Sequence, residues 1–181
     1  MLKMEKEVEI NGNRVYLRSI KISDVTKEYV SWLNSNQINQ FLESRFMKHN
    51  LSSTKKYIKK IKNNENFIFL AIIRKDNEKH IGNIKIGPID EQHKIGEIGL
   101  MIGDKKSWGK GFATDAIKTL TEYAFEVLRL HKVFAGVYQN NMGSIKAFQK
   151  VGFFIEGNRK KHYLYKNEYV DLVLLGKINS S

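Results

Sequence analysis

The chain reads Lys106-Ser107-Trp108-Gly109-Lys110-Gly111-Phe112-Ala113-Thr114-Asp115-Ala116 between a short apolar run and a long amphipathic pattern. The apolar run, residues 98–102, predicts a strand, and the pattern that begins at Ala113 predicts a helix. A turn of small residues at a helix N-terminus points several backbone N–H groups at one spot, at the positive end of the helix dipole. This stretch therefore predicts a phosphate-binding turn between a strand and a helix.

Length and composition favour one globular domain that spans residues 1–181. Hydrophobic residues make up 41% of the chain and charged residues 28%, both near the averages of globular proteins. Cysteine is absent, which excludes disulfides, a thiol nucleophile and thiolate metal sites. The N-terminal residues are charged, and no apolar run approaches the roughly 20 residues of a membrane span. We expect a cytoplasmic protein with no membrane partner.

The net charge of +12 has two interpretations. An anionic partner such as nucleic acid or a phosphorylated metabolite would explain it, and so would a surface kept soluble by scattered lysines. The densest run favours the second interpretation, because Tyr57, Ile58 and Ile61 interrupt its lysines at helical spacing. We expect no nucleic-acid partner. A nucleic-acid-binding module is the main alternative to an enzyme, and it would bind with strong salt dependence.

Hydrophobic periodicity predicts a mixed α/β fold with a largely antiparallel first half and βαβ-like crossovers in the second. Ser23 and Asp24 are the predicted caps of the first helix, whose apolar stripe ends at Leu33. Strands are predicted at residues 14–20, 67–74, 80–89, 95–102, 132–138, 153–155, around Tyr163 and at 169–177. The other predicted helices span residues 53–62, 113–130 and 142–151.

Three kinds of phosphate site compete for the glycine turn. A Walker loop requires a hydroxyl residue after Gly-Lys, and Gly111 stands there instead. A dinucleotide fingerprint requires an acid about 20 residues downstream, where the chain has His131 and Lys132. A pyrophosphate cradle of the coenzyme A type needs backbone N–H donors, small residues and few acids, and the turn fits this description best.

A second motif lies downstream and reads Asn140-Asn141-Met142-Gly143-Ser144-Ile145-Lys146-Ala147-Phe148-Gln149-Lys150-Val151-Gly152-Phe153. The two motifs together resemble the GNAT acyl-CoA N-acetyltransferases, with Lys106 where Gln or Arg is usual. The residue sequence of the glycine turn is similar to that of the RimJ/RimL branch of this family. The resemblance implies an α/β (α+β) fold with a mixed, mostly antiparallel, strongly twisted sheet. It also implies about six to seven strands, about four flanking helices, and a splay between the fourth and fifth strands.

The resemblance implies acetyl-CoA as co-substrate and no metal. The pantetheine arm would lie in the splay, where the strand offers backbone groups, and the glycine turn would hold the pyrophosphate. Asn141 would hydrogen-bond the pantetheine, although a helix-capping role is an equal alternative. The implied coenzyme-binding residues are Leu100, Met101, Ile102, Lys106, Trp108, Gly109, Lys110, Gly111, Phe112, Ala113, Asn141, Ser144 and Phe148.

The general acid usual in this family is a tyrosine, and Phe148 occupies its position. Ser144 is the predicted catalytic substitute, with helix capping as its alternative role, and Tyr138 and Tyr163 are remoter candidates. The attacking amine must first lose a proton. Glu97 is the predicted base, because strand alternation places it on the same face as Met101, and a surface carboxylate paired with a lysine is its equal alternative. Weaker candidates for the base are His93, Glu43 and His49.

The acceptor pocket of the family is built from the segment after the first helix and from the last hairpin. Both segments mix aromatic residues with cations here, which suits an anionic acceptor such as a nucleotide-linked amino sugar. The predicted acceptor-binding residues are Trp32, Arg45, Phe46, His49 and Tyr163. An N-terminal alanine of a ribosomal protein and a polyamine are the alternative acceptors, and an acyl-CoA sensor without turnover is the alternative function. We expect a monomer or a homodimer.

Overall fold

The computed structural model describes residues 7–180, and within them one sheet of eight strands carries five helices. The strands are β1 (Glu9–Asn11), β2 (Val15–Ser19), β3 (Ile68–Arg74), β4 (His80–Asp90), β5 (Ile95–Ile102), β6 (Lys132–Tyr138), β7 (Phe154–Tyr165) and β8 (Glu168–Ile178). The helices are α1 (Lys27–Asn34), α2 (Asn36–Asn39), α3 (Leu51–Lys62), α4 (Phe112–Glu126) and α5 (Met142–Lys150). Short 3₁₀ turns occupy Ile22–Asp24, Glu43–Phe46 and Lys105–Ser107.

The strand order is β1-β2-β3-β4-β5-β6-β8-β7, and all neighbours are antiparallel except β5 and β6. These two parallel strands pair only from Ile95 to Glu97 on β5 and from Lys132 to Phe134 on β6. Beyond that point they separate, which confirms the predicted splay. In chain order the splay lies between the fifth and sixth strands, because the three-residue β1 precedes the first predicted strand.

The largest core cluster lies between α4 and the sheet. Helix α4 buries Phe112, Ala116, Ile117, Leu120 and Ala124, whose spacing places them on one helical face. The same side of the sheet presents Ile98, Leu100 and Ile102 from β5 and Val133, Ala135 and Val137 from β6. Burial of each large aliphatic side chain contributes about 1.5–3 kcal/mol. The amphipathic pattern of the sequence therefore fixes the side of the sheet on which α4 lies.

A second core cluster covers the opposite face of the sheet, where α1 and α3 pack. Tyr29, Trp32, Ile58 and Met101 belong to it. Because residues alternate along a strand, Glu97 shares the face of Met101, and Tyr138 shares the face of Phe134 and Gly136. The two sides of the splay therefore differ, with α4 and α5 on one and α1 to α3 on the other.

Two predicted helix ends are wrong. Thr26 caps α1 by accepting a hydrogen bond from the Tyr29 N–H, whereas Asp24 pairs with the Arg18 guanidinium at 2.7 Å. Helix α4 ends at Glu126 and not near residue 130, because Arg129 adopts a left-handed φ of 54° and redirects the chain into β6.

Candidate active site

A cleft of about 700 Å³ opens where β5 and β6 separate. It is lined by both strands, by the glycine turn, by the first turn of α4, by α5, and by the segment that contains α2. Of the predicted site residues, it brings together Glu97, Leu100, Met101, Ile102, Trp108, Gly109, Gly111, Phe112, Ala113, Asn141, Ser144, Phe148 and Tyr163. With Gln37 from the segment of α2 also in the lining, residues more than 100 positions apart in the chain meet in one place.

The glycine turn is shaped to accept an anion. Gly109 and Gly111 have φ values of 72° and 81°, which only glycine adopts without cost, and a Cβ at either would meet nothing within 4 Å. Gly111 caps α4 without any side-chain hydrogen bond. Within residues 7–180, the N–H groups of residues 109–114 donate no hydrogen bond, as expected at an open helix N-terminus. The turn thus presents free donors in open space beside the cleft.

Two details correct the predicted cradle. The Trp108 N–H already donates to the Lys105 carbonyl at 3.1 Å, so the free donors begin at Gly109. The Lys106 and Lys110 side chains are exposed, and neither residue lines the cleft. Lys110 instead borders a shallow neighbouring cavity, and its carbonyl accepts a hydrogen bond from the Arg14 guanidinium at 2.9 Å.

Asp115 holds the start of α4 in place. Its carboxylate accepts hydrogen bonds from the backbone N–H groups of Asn13, Arg14 and Val15, at 3.2, 2.7 and 3.0 Å. Gly12 permits this approach, since a Cβ there would lie 2.8 Å from the Asp115 Oδ2. The one acid in the first turn of α4 therefore binds the β1–β2 hairpin.

The β5 side of the cleft is formed by Leu100, Met101 and Ile102. The indole of Trp108 donates to the Ile102 carbonyl at 2.8 Å, so this carbonyl already has a partner. Beyond Glu97 this edge of β5 has no strand beside it. Backbone groups along Ile98 to Met101 therefore face the cleft, where an extended ligand arm can pair with them.

Helix α5 supplies the opposite wall. The Asn141 side chain caps it by accepting from the Ser144 N–H at 3.3 Å, so the capping role predicted as an alternative is present. Ser144 is half-buried and lines the cleft. Phe148 is 1% exposed and packs edge-on against Phe153, with ring centroids 4.9 Å apart. Its ring contributes an apolar wall and has no proton to donate.

Glu97 lies at the last paired position of β5, facing β6. A Cβ added to Gly136 would lie 3.7 Å from its Oε1, which places the carboxylate close to the β6 backbone. The residue is half-buried and lines the cleft. His93, a weaker candidate for the base, is exposed in the turn before β5 and does not line the cleft.

A cluster of aromatic rings closes the cleft on the α2 side. Tyr138 and Tyr163 are stacked with centroids 4.7 Å apart, and Phe41 stacks on Tyr165 at 5.1 Å. Phe41 and Tyr138 are 5.7 Å apart, which joins the two pairs. Phe41, Tyr138 and Tyr163 line the cleft. They form an apolar wall with an electron-rich face, which suits a cation or a flat ring.

Arg45, Tyr138 and Glu43 form a hydrogen-bonded chain beside these rings. The Arg45 guanidinium donates to the Tyr138 hydroxyl at 2.8 Å and to the Leu164 carbonyl at 2.7 Å. The Tyr138 hydroxyl in turn donates to the Glu43 carboxylate. Burial, reinforced by the bond to Glu43, raises the pKa of Tyr138 to about 12. The phenol therefore stays protonated at neutral pH.

Three of the predicted acceptor residues do not line the cleft and serve the fold instead. Trp32 is buried, 5% exposed, and packs against Tyr29 and His80. The His49 backbone exchanges hydrogen bonds with the Asn34 side chain, and its ring contacts the Ser44 carbonyl at 2.8 Å. Phe46 is exposed and lies under the Arg45 guanidinium, 4.1 Å from its ring centroid. These positions correct the prediction for all three.

Arg45 does not line the cleft either. Its side chain is only 14% exposed and is directed toward Tyr138 and Leu164, to which it donates hydrogen bonds. The cleft instead contains residues that the sequence patterns did not identify as site residues. They include Gln37, Ile38, Phe41, Leu42, Ser107, Thr114, Lys146 and Lys150. The apolar residues at 38, 41 and 42 follow α1 at helical spacing, and this signal could have placed them on a wall over β5.

The comparisons with known proteins agree with this geometry. The family model described as Acetyltransferase (GNAT) domain matches residues 14–154. The chain belongs to the GNAT acetyltransferase family. Within the described residues, no helix has the length and apolar character of a membrane span, and no group of three His, Asp or Glu side chains is placed to hold a metal ion.

Relatives of this GNAT chain match it over part of their length. It is 33% identical to the uncharacterized N-acetyltransferase p20 of Bacillus licheniformis over 104 residues, 58% of either chain. It is 31% identical to the spermidine N(1)-acetyltransferase of Escherichia coli strain K12 over 98 residues, 54% of this chain and 52% of that one. The chain thus matches little more than half the length of these relatives.

Solved structures match this GNAT chain over nearly its whole length. Spermidine N-acetyltransferase from Vibrio cholerae, in complex with CoA and spermine, has a TM-score of 0.82 at 20% identity, over 92% of this chain and 96% of that one. Mycobacterium smegmatis RimJ, in complex with CoA-disulfide, has a TM-score of 0.81 at 18% identity, over 94% of this chain and 87% of that one. At these identities the likeness shows the fold.

Proposed function

We propose that the chain is an N-acetyltransferase that moves an acetyl group from acetyl-CoA to a primary amine, by direct attack in a ternary complex. The observation that carries the proposal is the splay between β5 and β6, which joins two unlike surfaces. Free backbone donors at the α4 N-terminus lie on one side, and the carboxylates of Glu43 and Glu97 lie with aromatic rings on the other. An anionic coenzyme and an amine would thus meet in one cleft.

The residues at the glycine turn fit a diphosphate. The N–H groups from Gly109 to Ala113 are free within the described chain and lie at a helix N-terminus, where an anion is favoured. Nothing occupies the space where a Cβ of Gly109 or Gly111 would lie, so the backbone is open to close approach. The pantetheine arm would extend along the unpaired edge of β5, against the apolar ring of Phe148.

The transfer requires a proton acceptor, and Glu97 is the proposed one. It removes a proton from the ammonium of the acceptor, and the freed lone pair attacks the thioester carbonyl carbon. Backbone N–H groups of β5 beyond Ile98 stabilise the oxyanion that develops on the carbonyl oxygen. The C–S bond then breaks and the nitrogen gives up its second proton to solvent. The thiolate takes a proton from water, or from Ser144, which water then reprotonates. The products are the amide, free coenzyme A and one proton.

The acceptor side of the cleft favours a small cationic amine over the nucleotide-linked amino sugar. The amino-sugar interpretation depended on a free Arg45 guanidinium for the diphosphate, and Arg45 is engaged by Tyr138 and Leu164 outside the lining. The lining cations, Lys146 and Lys150, both belong to α5. The relative named as a spermidine acetyltransferase supports a polyamine-like acceptor. A cytoplasmic location and a single domain over the whole chain belong to the same proposal.

A panel of amines tests this proposal through release of free thiol from acetyl-CoA. It contains polyamines, a nucleotide-linked amino sugar and peptides that begin with alanine or serine. We expect turnover with the polyamines and background release with the nucleotide sugar. Preference for the nucleotide sugar or the peptides would reassign the acceptor. Tight acetyl-CoA binding without thiol release from any amine would favour an acyl-CoA sensor and contradict the enzymatic proposal.

A further inference from the structure

The contacts of Arg45 hold neighbouring segments of the protein together and are not those of a residue that binds substrate. Its guanidinium donates to the carbonyls of Leu42 at 2.9 Å and Leu164 at 2.7 Å, and to the Tyr138 hydroxyl at 2.8 Å. A longer direct contact of 3.5 Å joins it to the Glu43 Oε1, the same oxygen that accepts from Tyr138. Its planar face lies over the Phe46 ring. These contacts join the Glu43–Phe46 turn to β6 and β7, across 93 and 119 positions of sequence. A side chain engaged in this way has little capacity left for a ligand.

The chain of hydrogen bonds has a fixed direction. Arginine carries donors only, so the Tyr138 oxygen must accept from Arg45. The phenol has a single proton, and it is donated to the Glu43 carboxylate. Glu43 is therefore fixed through one of its oxygens, while its side chain is 60% exposed at the cleft. Its second oxygen has no hydrogen-bond partner within residues 7–180 and is available to a ligand.

We propose that Arg45 is a positioning residue that acts through Tyr138 to hold the Glu43 carboxylate in the cleft, where it binds a positive charge of the acceptor remote from the reacting amine. This inference rests on the proposed function and assigns its specificity. Without the hydrogen bonds from Tyr138 and Arg45, Glu43 would be a mobile surface carboxylate, and its attraction for a cation would contribute little binding free energy. With the chain, the anion is fixed next to the faces of Phe41, Tyr138 and Tyr163, which attract cations.

The test compares two acceptors, a diaminoalkane and the amino alcohol of the same chain length. They share one reacting amine and differ in the remote group, which is a cation in the first and neutral in the second. KM values for both acceptors and for acetyl-CoA are measured for the wild type, Glu43→Gln, Tyr138→Phe, Arg45→Met and the Glu43→Gln/Arg45→Met double variant. Lys48→Met is the matched control, because it removes an exposed positive charge on the same segment outside the cleft.

We expect Glu43→Gln to raise the KM of the diamine about 10-fold or more and to leave that of the amino alcohol within about twofold. Tyr138→Phe preserves the ring stack and removes the link, so the diamine KM should rise about 2–10-fold. Arg45→Met should have a similar effect, and the double variant should equal Glu43→Gln alone, because the effect of Arg45 passes through Glu43. The KM of acetyl-CoA should not change, and Lys48→Met should match the wild type.

The inference is overturned if the increases in the diamine KM caused by Glu43→Gln and Arg45→Met multiply in the double variant. It is also overturned if Tyr138→Phe raises the KM of the diamine and of the amino alcohol by the same factor. It is also overturned if Arg45→Met and Tyr138→Phe change only the melting temperature, which would make the chain purely structural. If the wild type acetylates amines without any preference for the diamine, this inference is wrong and the proposed function is unaffected. A wild type that acetylates none of the amines in the larger panel sinks both.

Discussion

Replacement of Gly111 by glutamate should prevent binding of coenzyme A. Gly111 is the N-cap of α4, with a φ of 81° and no atom within 4 Å of the position of a Cβ. A side chain therefore enters open space beside the free N–H groups, without a clash that would force the turn apart. The left-handed backbone costs any other residue about 1–2 kcal/mol. Gly111→Gln carries the same cost and nearly the same volume without the charge, so it is the matched control.

The size of the charge effect follows from Coulomb's law. A carboxylate about 6 Å from a diphosphate that carries two negative charges is repelled by about 1.4 kcal/mol at the dielectric constant of water and by about 5.5 kcal/mol at an effective value of 20. Loss of helix-terminus donors to the new side chain adds to this repulsion. Gly111→Glu should therefore bind coenzyme A at least about 10-fold more weakly than Gly111→Gln.

Isothermal titration calorimetry with coenzyme A measures this difference directly. Repetition at higher salt should narrow the gap between the glutamate and glutamine variants, because screening weakens exposed charge interactions. Thermal unfolding of both variants establishes that each is folded and equally destabilised. Equal affinities of the glutamate variant, the glutamine variant and the wild type would refute the assignment of the diphosphate to this turn.

Three further predictions concern single side chains. Glu97→Gln should lower kcat about 10²–10⁴-fold with the KM of acetyl-CoA nearly constant, because the variant cannot accept the ammonium proton, and a normal kcat in steady-state assays would remove Glu97 from the mechanism. Ser144→Ala should lower kcat more than it weakens coenzyme binding, and an unchanged rate would leave thiolate protonation to water. Burial lowers the pKa of His80 from the ordinary value of 6.5, so its contribution to stability is complete above pH 6.5 and is lost as the pH falls through its folded pKa. Chemical unfolding of His80→Gln between pH 7 and pH 5 should therefore show a weaker pH dependence than the wild type, and identical pH dependence in the two proteins would contradict this origin.

Local patterns were sufficient for the glycine turn and the start of α4. The glycine turn and the amphipathic run that begins at Phe112 are contiguous in sequence, so the start of α4 and its buried face follow from spacing alone. The splay also follows from the family resemblance. The predicted end of α4 was wrong because it depends on one backbone angle. The positive φ of Arg129 ends the helical conformation before Leu130. Strand β1 has three residues, too few for an alternating pattern to be recognised.

The acceptor side was less predictable because its contacts are long-range. Aromatic and cationic residues in the segment after α1 suggested an anion-binding pocket, but the pattern does not show which side chain faces the cleft. Arg45 is directed away by Tyr138 and Leu164, which lie 93 and 119 positions later. Trp32 fits a helical apolar stripe, and tertiary packing against His80 makes it part of the core. From this segment the cleft lining holds Glu43 and not Arg45.

A crystal structure with coenzyme A bound is the most direct test of the account. We predict that the diphosphate oxygens will lie about 2.7–3.2 Å from the main-chain nitrogens between Gly109 and Ala113, within hydrogen-bonding distance. The pantetheine arm should run between β5 and β6 and end beside Met101. A complex in which the diphosphate is bound away from these nitrogens, or in which the space between the two strands is empty, would contradict the account.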